Sequence, residues 1–234
     1  MKFFDSIKSI SNEPRLERKY FLTFDYEFLI KSFIKLNPTG LKEIYYQRQV
    51  NNLYFDTPDL IFLKDNLIGS NLRFKFRIRW YGQDINKNKL IKPNLEVKFK
   101  QGNLIYKYIS PLKKIKLIDV LNKIKIKKMV LASQFPSFIK EIIKDLNPTL
   151  MNAYKRRYFL TADKKIRLTV DKDIIFKPQF LTNNSLLKNP SDKIIIELKY
   201  KPENENQAVN LINYFPLSLQ KNSKYVNGMA TGLF

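Results

Sequence analysis

Bulky apolar and cationic residues alternate without a break through Arg73-Phe74-Lys75-Phe76-Arg77-Ile78-Arg79-Trp80. In a β-strand, successive side chains point to opposite faces. One face of this segment is therefore cationic and the other is apolar. The same phase returns at Glu96-Val97-Lys98-Phe99-Lys100 and at Glu197-Leu198-Lys199-Tyr200-Lys201. Such alternation is ordinary in a strand whose charges stand in water. Two features set these strands apart. The apolar face is rich in aromatics, as expected of a surface packed under other elements. The polar face from Arg73 to Arg79 does not mix signs, although like charges about 7 Å apart repel by roughly 2 kcal/mol at an effective dielectric near 20. A sheet built this way fits a polyanion.

The pattern predicts strands over 15–21, 44–55, 70–80, 92–100, 104–110, 149–159, 165–171 and 193–201, and helices over 25–36, 58–65, 114–132, 136–146 and 205–215, with a short one after Ser223. Asp25 is placed to cap the first helix, and Thr57 before Pro58 to start the second. Gln101-Gly102 reads as a hairpin turn. About eight strands are enough to close a barrel. The expected fold is α+β: an eight-stranded antiparallel β-barrel tunnel with flanking helices, spanning 1–234 as one domain. Its aromatic face meets the helices and its charged face lines the lumen.

Charge sharpens this picture. The 234 residues carry 43 Lys+Arg against 21 Asp+Glu, a net charge of +22, which favours phosphate-rich partners. Lys is the default cation. Arg is scarce, and every Arg (15, 18, 48, 73, 77, 79, 156, 157, 167) falls in a predicted strand, where its planar fork suits bidentate phosphate contact. Cys and His are both absent. Disulfides, thiol catalysis, Cys-ligated zinc, phosphohistidine chemistry and a His base are therefore excluded. No apolar run approaches a signal peptide core or a membrane span, so a soluble, cytoplasmic protein is expected. The Lys-rich helix expected over 114–132 offers peripheral docking to an anionic membrane surface or a membrane protein. Nothing in the sequence sets the oligomeric state.

There is no GxxxxGK[ST] and no GxGxxG, and Gly totals only 6. Any phosphate is thus bound by side chains rather than by a glycine-rich loop. The in-phase residues are Arg15, Glu17 and Lys19 on the first strand, then Arg73, Lys75, Arg77 and Arg79, then Glu96, Lys98 and Lys100 with Lys107 on the hairpin partner. Further along come Tyr154 and Arg156, then Arg167, Thr169 and Asp171, then Glu197, Lys199 and Lys201, and finally Lys221 and Lys224 before Tyr225. The theme is a carboxylate within a field of cations. Each pair alone reads as a cross-strand salt bridge. Together, in one phase, they suit a metal–triphosphate complex.

Eight motifs in order carry a family resemblance: Arg15-x-Glu17-x-Lys19-Tyr20, Leu53-Tyr54-Phe55-Asp56-Thr57-Pro58, Arg77-Ile78-Arg79-Trp80-Tyr81-Gly82, Leu95-Glu96-Val97-Lys98, Tyr154-Lys155-Arg156, Arg167-Leu168-Thr169-Val170-Asp171, Ile196-Glu197-Leu198-Lys199-Tyr200 and Ser223-Lys224-Tyr225. From about residue 15 to 228 the chain resembles the VTC (vacuolar transporter chaperone) polyphosphate polymerase domain of the triphosphate tunnel metalloenzymes. The resemblance implies a tunnel that takes ATP and builds inorganic polyphosphate with Mn²⁺ or Mg²⁺. By motif match, Lys19, Arg77, Arg79, Lys98, Lys107, Arg156, Lys199, Lys221 and Lys224 hold phosphate and Glu197 holds the metal. Arg15, Arg73, Lys75, Lys100, Arg167 and Tyr225 join as substrate contacts. Hydrolytic members of the superfamily often begin with Glu-x-Glu-x-Lys, whereas this chain has Arg15 at the first position. One carboxylate fewer tilts the expectation toward polymerase. A tunnel triphosphatase is the alternative. A non-enzymatic polyphosphate or nucleic-acid binder is a further one, but in-phase Glu17, Glu96, Asp171 and Glu197 would weaken its grip on phosphate, so no nucleic-acid partner is expected.

Overall fold

A computed structural model describes residues 5–6, 8–9, 11, 13–23, 27–82, 89–120, 122–132, 135–179, 187–188, 193–214, 218–219 and 223–233. Eight long strands occur: β1 (Leu16–Thr23), β2 (Lys42–Asp56), β3 (Leu72–Tyr81), β4 (Asn94–Gln101), β5 (Leu104–Pro111), β6 (Asn147–Leu160), β7 (Arg167–Pro178) and β8 (Lys193–Tyr200). They form one antiparallel sheet in the order β1-β8-β7-β6-β2-β3-β4-β5. Short strands add to it, 218–219 beside β1 and 187–188 beside β7. The helices are α1 (Glu27–Leu36), α2 (Ile61–Ile68), α3 (Leu117–Val120), α4 (Lys123–Leu131), α5 (Ser137–Asp145), α6 (Glu205–Asn213) and α7 (Lys224–Leu233).

The expected barrel is a curved sheet that is not closed by a continuous ladder. Its long edge strands meet at one bridge, where the Arg15 amide donates to the Ile105 carbonyl at 3.1 Å and the Ile105 amide donates back at 3.0 Å. Further along β1 the same edge is taken by Ser218–Leu219, which pairs with Phe21 and Tyr20. In the antiparallel register of the bridge, Leu16 meets Leu104, the first residue of β5, and later β1 residues run past the 102–103 turn, so closure stops at one residue pair.

The outer face follows the alternation. Phe74, Phe76, Ile78 and Trp80 are buried with Val97 and Phe99 against Ile126, Val130, Ile139 and Ile143 of α4 and α5. On the other flank, Leu168, Ile194, Ile196 and Leu198 pack beneath Ile30 and Phe33 of α1 and Leu211 of α6. Each fully buried side chain of this kind contributes about 1.5–3 kcal/mol. The third cluster belongs to the inner face. Val50, Tyr54, Leu150, Tyr154, Ile174, Phe176 and Ile195 meet Tyr225 and Met229 of α7. The C-terminal helix thus packs across one end of the lumen. Gly228 permits that approach, since a Cβ there would lie 2.5 Å from Phe176 and 2.6 Å from Leu150.

Two local expectations are corrected. The helix expected from Pro58 begins at Ile61, because Leu60 adopts φ 56° and separates the Pro58–Asp59 turn from the helix. The Asp56 carboxylate accepts from the Phe62 and Leu63 amides at 2.9 Å each, which caps the helix. The single Lys-rich helix expected over 114–132 is broken. Ile115–Lys116 pairs instead with Leu90–Ile91, and Asn122 caps α4 by accepting from the Lys125 amide at 3.0 Å. Lys125 binds Asp119 at 2.5 Å and Lys127 donates to the Lys144 carbonyl. Among the described residues no helix is long and apolar enough to cross a membrane. Asp25 and Lys221 lie outside the described residues.

Candidate triphosphate site

Strand phase decides what faces the lumen. Register places Arg77 opposite Glu96 and Lys75 opposite Lys98, Lys98 opposite Lys107, Lys19 opposite Glu197 and Arg156 opposite Asp171. Cross-strand partners share a face, so these side chains line one surface. Lys224, in the first turn of α7, reaches the same surface from the end of the lumen.

The four carboxylates organise the cations. Glu96 accepts from Arg77 at 2.5 Å and Lys107 at 2.8 Å, with Arg79 at 3.6 Å. Glu17 pairs with Lys98 at 2.6 Å. Glu197 pairs with Lys199 at 2.6 Å and Lys19 at 3.8 Å. Asp171 takes Arg156 as a fork, 2.5 and 2.6 Å, and Lys224 at 2.5 Å. Lys75 donates to the Ser223 hydroxyl at 2.7 Å. Neutral groups complete the wall: Arg79 donates to Asn52 at 2.8 Å and to the Tyr154 hydroxyl at 3.1 Å, and Arg77 donates to the Tyr54 hydroxyl at 3.1 Å.

Titration behaviour reflects this crowding. Burial, reinforced by Lys19 and Lys98, pushes Lys75 well below the ordinary lysine range. Burial also lowers Lys98 to about 8, although Glu17 opposes it, and lowers Lys107 to about 7, although Glu96 opposes it. The carboxylates go the other way. Burial alone would raise them, but Lys98 holds Glu17 at about 2, and Arg156 with Lys224 holds Asp171 at about 2. Arg77, Arg79 and Lys107 hold Glu96 well below its usual range, and Lys199 and Lys19 do so for Glu197. Burial would likewise raise the Tyr154 phenol, yet Arg156 and Arg79 bring it down to about 8. Burial would lower Lys19 as well, yet Glu197 and Glu17 raise it above the ordinary range, so the carboxylates stay ionised while Lys75, Lys98 and Lys107 struggle to stay charged. Such a cavity has an excess of buried positive charge, which a multiply charged anion relieves.

The donor set also bears on a divalent ion. Among the described residues no group of three or more Asp or Glu side chains is placed to cage a metal. Hard oxygen donors are nevertheless in reach. Glu197 lies opposite Thr169, whose hydroxyl is buried without a partner, and Glu17 is close enough to act on Glu197 electrostatically. One or two carboxylates plus substrate phosphates is the normal way Mg²⁺ is held. The residues therefore fit an ion that arrives with its triphosphate, held by Glu197, and do not fit a resident cage.

The structure brings Lys19, Lys75, Arg77, Arg79, Lys98, Lys107, Arg156, Lys199 and Lys224 onto one surface. Arg15 and Arg167 stand at the open mouth, where they line a cavity of about 400 Å³ with Lys164, Lys165, Lys199 and Lys201. Arg73 and Lys100 face each other in register on β3 and β4. Tyr225 is placed apart from the cations. Its hydroxyl donates to Asp56 at 2.6 Å and its ring stacks on Tyr54 at 5.2 Å, so it anchors α7. Asp56 and Ser223 stand in the sequence motifs without an assigned role, and Asn52 and Asn152 stand outside them. Asn52 and Asn152 are fully buried strand residues that bond each other at 2.7 Å, a pairing set by strand order that the local pattern of polar residues does not carry.

A curved antiparallel sheet that holds cations and carboxylates on its concave face defines a triphosphate tunnel protein. The chain belongs to the VTC domain family, which matches residues 14–233. No curated protein sequence matches it. Solved structures show the same fold. HpAC1 from Hippeastrum, assigned as an adenylyl cyclase and described with a dominant triphosphatase activity, is 14% identical with a TM-score of 0.56, covering 94% of this chain and 96% of that one. A Bacillus halodurans protein assigned as an adenylate cyclase is 14% identical with a TM-score of 0.55, covering 90% and 94%. PH1819 from Pyrococcus horikoshii is 11% identical with a TM-score of 0.53, covering 93% and 99%.

Proposed function

We propose that this protein is a polyphosphate polymerase that moves the γ-phosphoryl group of ATP onto the end of an inorganic polyphosphate chain. The supporting observation is the extent of the cationic surface. It runs from Lys224 beside α7, along the concave face, and out into the cavity lined by Arg15, Lys164, Lys165, Arg167 and Lys201. A triphosphate alone does not need cations beyond the lumen, whereas a second, growing polyanion does.

The chemistry asks little of acid–base groups. The bond from Pγ to the oxygen bridging the β-phosphate breaks as a bond forms to an oxygen of the acceptor's terminal phosphate. ADP leaves. The acceptor is already anionic, so no base removes a proton, consistent with a chain that has no His. Arg77, Arg79 and Arg156, each fixed by a carboxylate, hold the equatorial oxygens where charge spreads. Lys19, Lys98 and Lys199 neutralise the flanking phosphates. A divalent ion held by Glu197 would add neutralising charge on the phosphate oxygens.

The second reading is hydrolysis of a triphosphate, supported by the fold shared with HpAC1 and its described triphosphatase activity. Purified protein incubated with ATP and Mn²⁺ or Mg²⁺, with products separated by length, decides between them. Chains of increasing length are expected. Free phosphate as the sole product would overturn the polymerase reading in favour of the hydrolase.

A further inference from the structure

The open mouth has two unlike halves. Arg15, Arg167 and Lys199 make the side formed by β1, β7 and β8 basic. The opposite side, formed by β2, β3 and β6, is aromatic. Arg48 lies opposite Arg156 in register, and Tyr45 lies opposite Tyr158, so the inner face of β2 continues past the cation cluster into these residues. Tyr81 follows Arg79 by two on β3 and shares its face. The Arg48 guanidinium sits 4.4 Å from the Tyr45 ring, 5.8 Å from Tyr81 and 5.9 Å from Tyr158. The Arg156 guanidinium touches the same Tyr158 ring at 5.9 Å, which ties the aromatic rim directly to the phosphate-facing arginines.

Two observations argue that this rim receives a ligand. Tyr45 and Tyr81 remain 48% and 41% exposed, a costly way to leave two aromatic rings beside a charged cavity. The β2–β6 ladder is also irregular there, with register shifts on both sides of Tyr45 that leave Tyr46 and Gln47 without partners. Bulges at sheet rims re-aim side chains next to functional sites.

We propose that Tyr45, Arg48, Tyr81 and Tyr158 form a stacking platform for the nucleobase of a nucleoside triphosphate whose phosphates enter the lumen. A purine or pyrimidine ring lies against tyrosine rings and a guanidinium plane in the way single-stranded bases do. Tyrosine rings and a guanidinium plane stack on any base, so the described platform favours having a base over which base it is. The platform takes the donor's base, and the basic half of the mouth stays clear for the second polyanion. This inference rests on the proposed binding of ATP's triphosphate in the lumen and adds which residues hold its base.

Titration calorimetry of wild type and Tyr45→Ala with Tyr81→Ala, each against ATP and against inorganic tripolyphosphate, tests it. Both tyrosines are exposed, and tripolyphosphate binding reports whether the variant's lumen is intact. Loss of stacking should weaken ATP about tenfold or more and leave tripolyphosphate within about twofold. Tyr45→Phe with Tyr81→Phe keeps the rings and should keep ATP affinity. An unchanged ATP affinity in the alanine variant, or equal weakening of both ligands, overturns the platform and leaves the tunnel standing. Wild-type protein that binds neither ligand overturns both.

Discussion

Two walls of the same lumen handle a buried carboxylate in opposite ways. On the β3–β4–β5 wall, Glu96 is surrounded by Arg77, Arg79 and Lys107. Two of its partners are planar forks held further by Tyr54, Asn52 and Tyr154. On the β1–β8 wall, Glu17 and Glu197 form ion pairs with lysines, Lys98 at 2.6 Å, Lys199 at 2.6 Å and Lys19 at 3.8 Å, and Arg156 acts on Glu197 only through the field. Arg gives fixed bidentate geometry, whereas Lys is a mobile point charge on a flexible stem. In the proposed reaction the first wall is a preset frame for equatorial oxygens. The second can release its carboxylates when phosphate takes over the lysines, which is what a carboxylate must do before it can hold an ion. Equal charge on two walls therefore does not mean equal roles.

The comparison breaks most sharply at its two glutamates. Glu197→Gln keeps the shape and removes the charge. It should lower metal-dependent turnover by at least about 100-fold, the scale for losing one group aimed at the transferring charge. Its lysine partners are partly exposed and can turn to water, so the melting temperature should hold. Full activity in this variant would refute the role given to Glu197. Glu96→Gln should do the reverse in emphasis. It leaves Arg77, Arg79 and Lys107 facing one another with no counter-charge, and breaking a buried pair this way costs about 3–5 kcal/mol. Tripolyphosphate at 100 times its dissociation constant should restore about 2.7 kcal/mol by binding the folded state. Urea unfolding of both variants, with and without tripolyphosphate, reads this directly. Equal destabilisation by the two substitutions would erase the distinction between the walls.

That distinction was not legible in the sequence, although most of the fold was. Strict alternation in Arg73–Trp80 sets the phase of β3, and every long strand lies within about two residues of its expected ends except β7, which is expected to stop at 171 and runs to Pro178. The cationic inner face and the aromatic outer face follow from that phase alone. Glu96 and Glu197 sit in the same local pattern, Glu-x-Lys, and their difference lies in which strand pairs beside them. Arg77 reaches Glu96 from β3 and Lys19 reaches Glu197 from β1, and periodicity carries no information about strand order. Long-range packing hid the rest. Asp56 serves α2 and Tyr225 across a separation of 169 residues. The Lys-rich stretch over 114–132 has helical composition throughout, but pairing with Leu90–Ile91 captured its start.

The smallest expected effect is a proton count, and it sharpens the contrast because two of the three depressed lysines, Lys98 and Lys107, stand on opposite sides of it. Lys107 belongs to the Glu96 wall and titrates at about 7. Lys98 answers to Glu17 and titrates at about 8. Both lie below the ordinary 10.5. Between the folded and ordinary values the unfolded chain holds a proton that the folded chain has released. These groups therefore make stability rise with pH from about 7 toward the ordinary lysine range, and the gain is lost as pH falls through the folded values. Phosphate binding runs the other way. A polyanion in the lumen favours the charged lysines and raises both pKa values. Lys75, held lower still, takes up its proton over the whole range, so binding tripolyphosphate should take up about one proton more at pH 8 than at pH 6. Calorimetry in two buffers of different ionisation enthalpy counts it. Lys107→Gln should remove the larger part of that difference, because at pH 8 Lys107 is more fully deprotonated than Lys98. Equal uptake at pH 6 and pH 8 would show that Lys98 and Lys107 stay charged without a ligand, and the lumen would then lack the strain assigned to it.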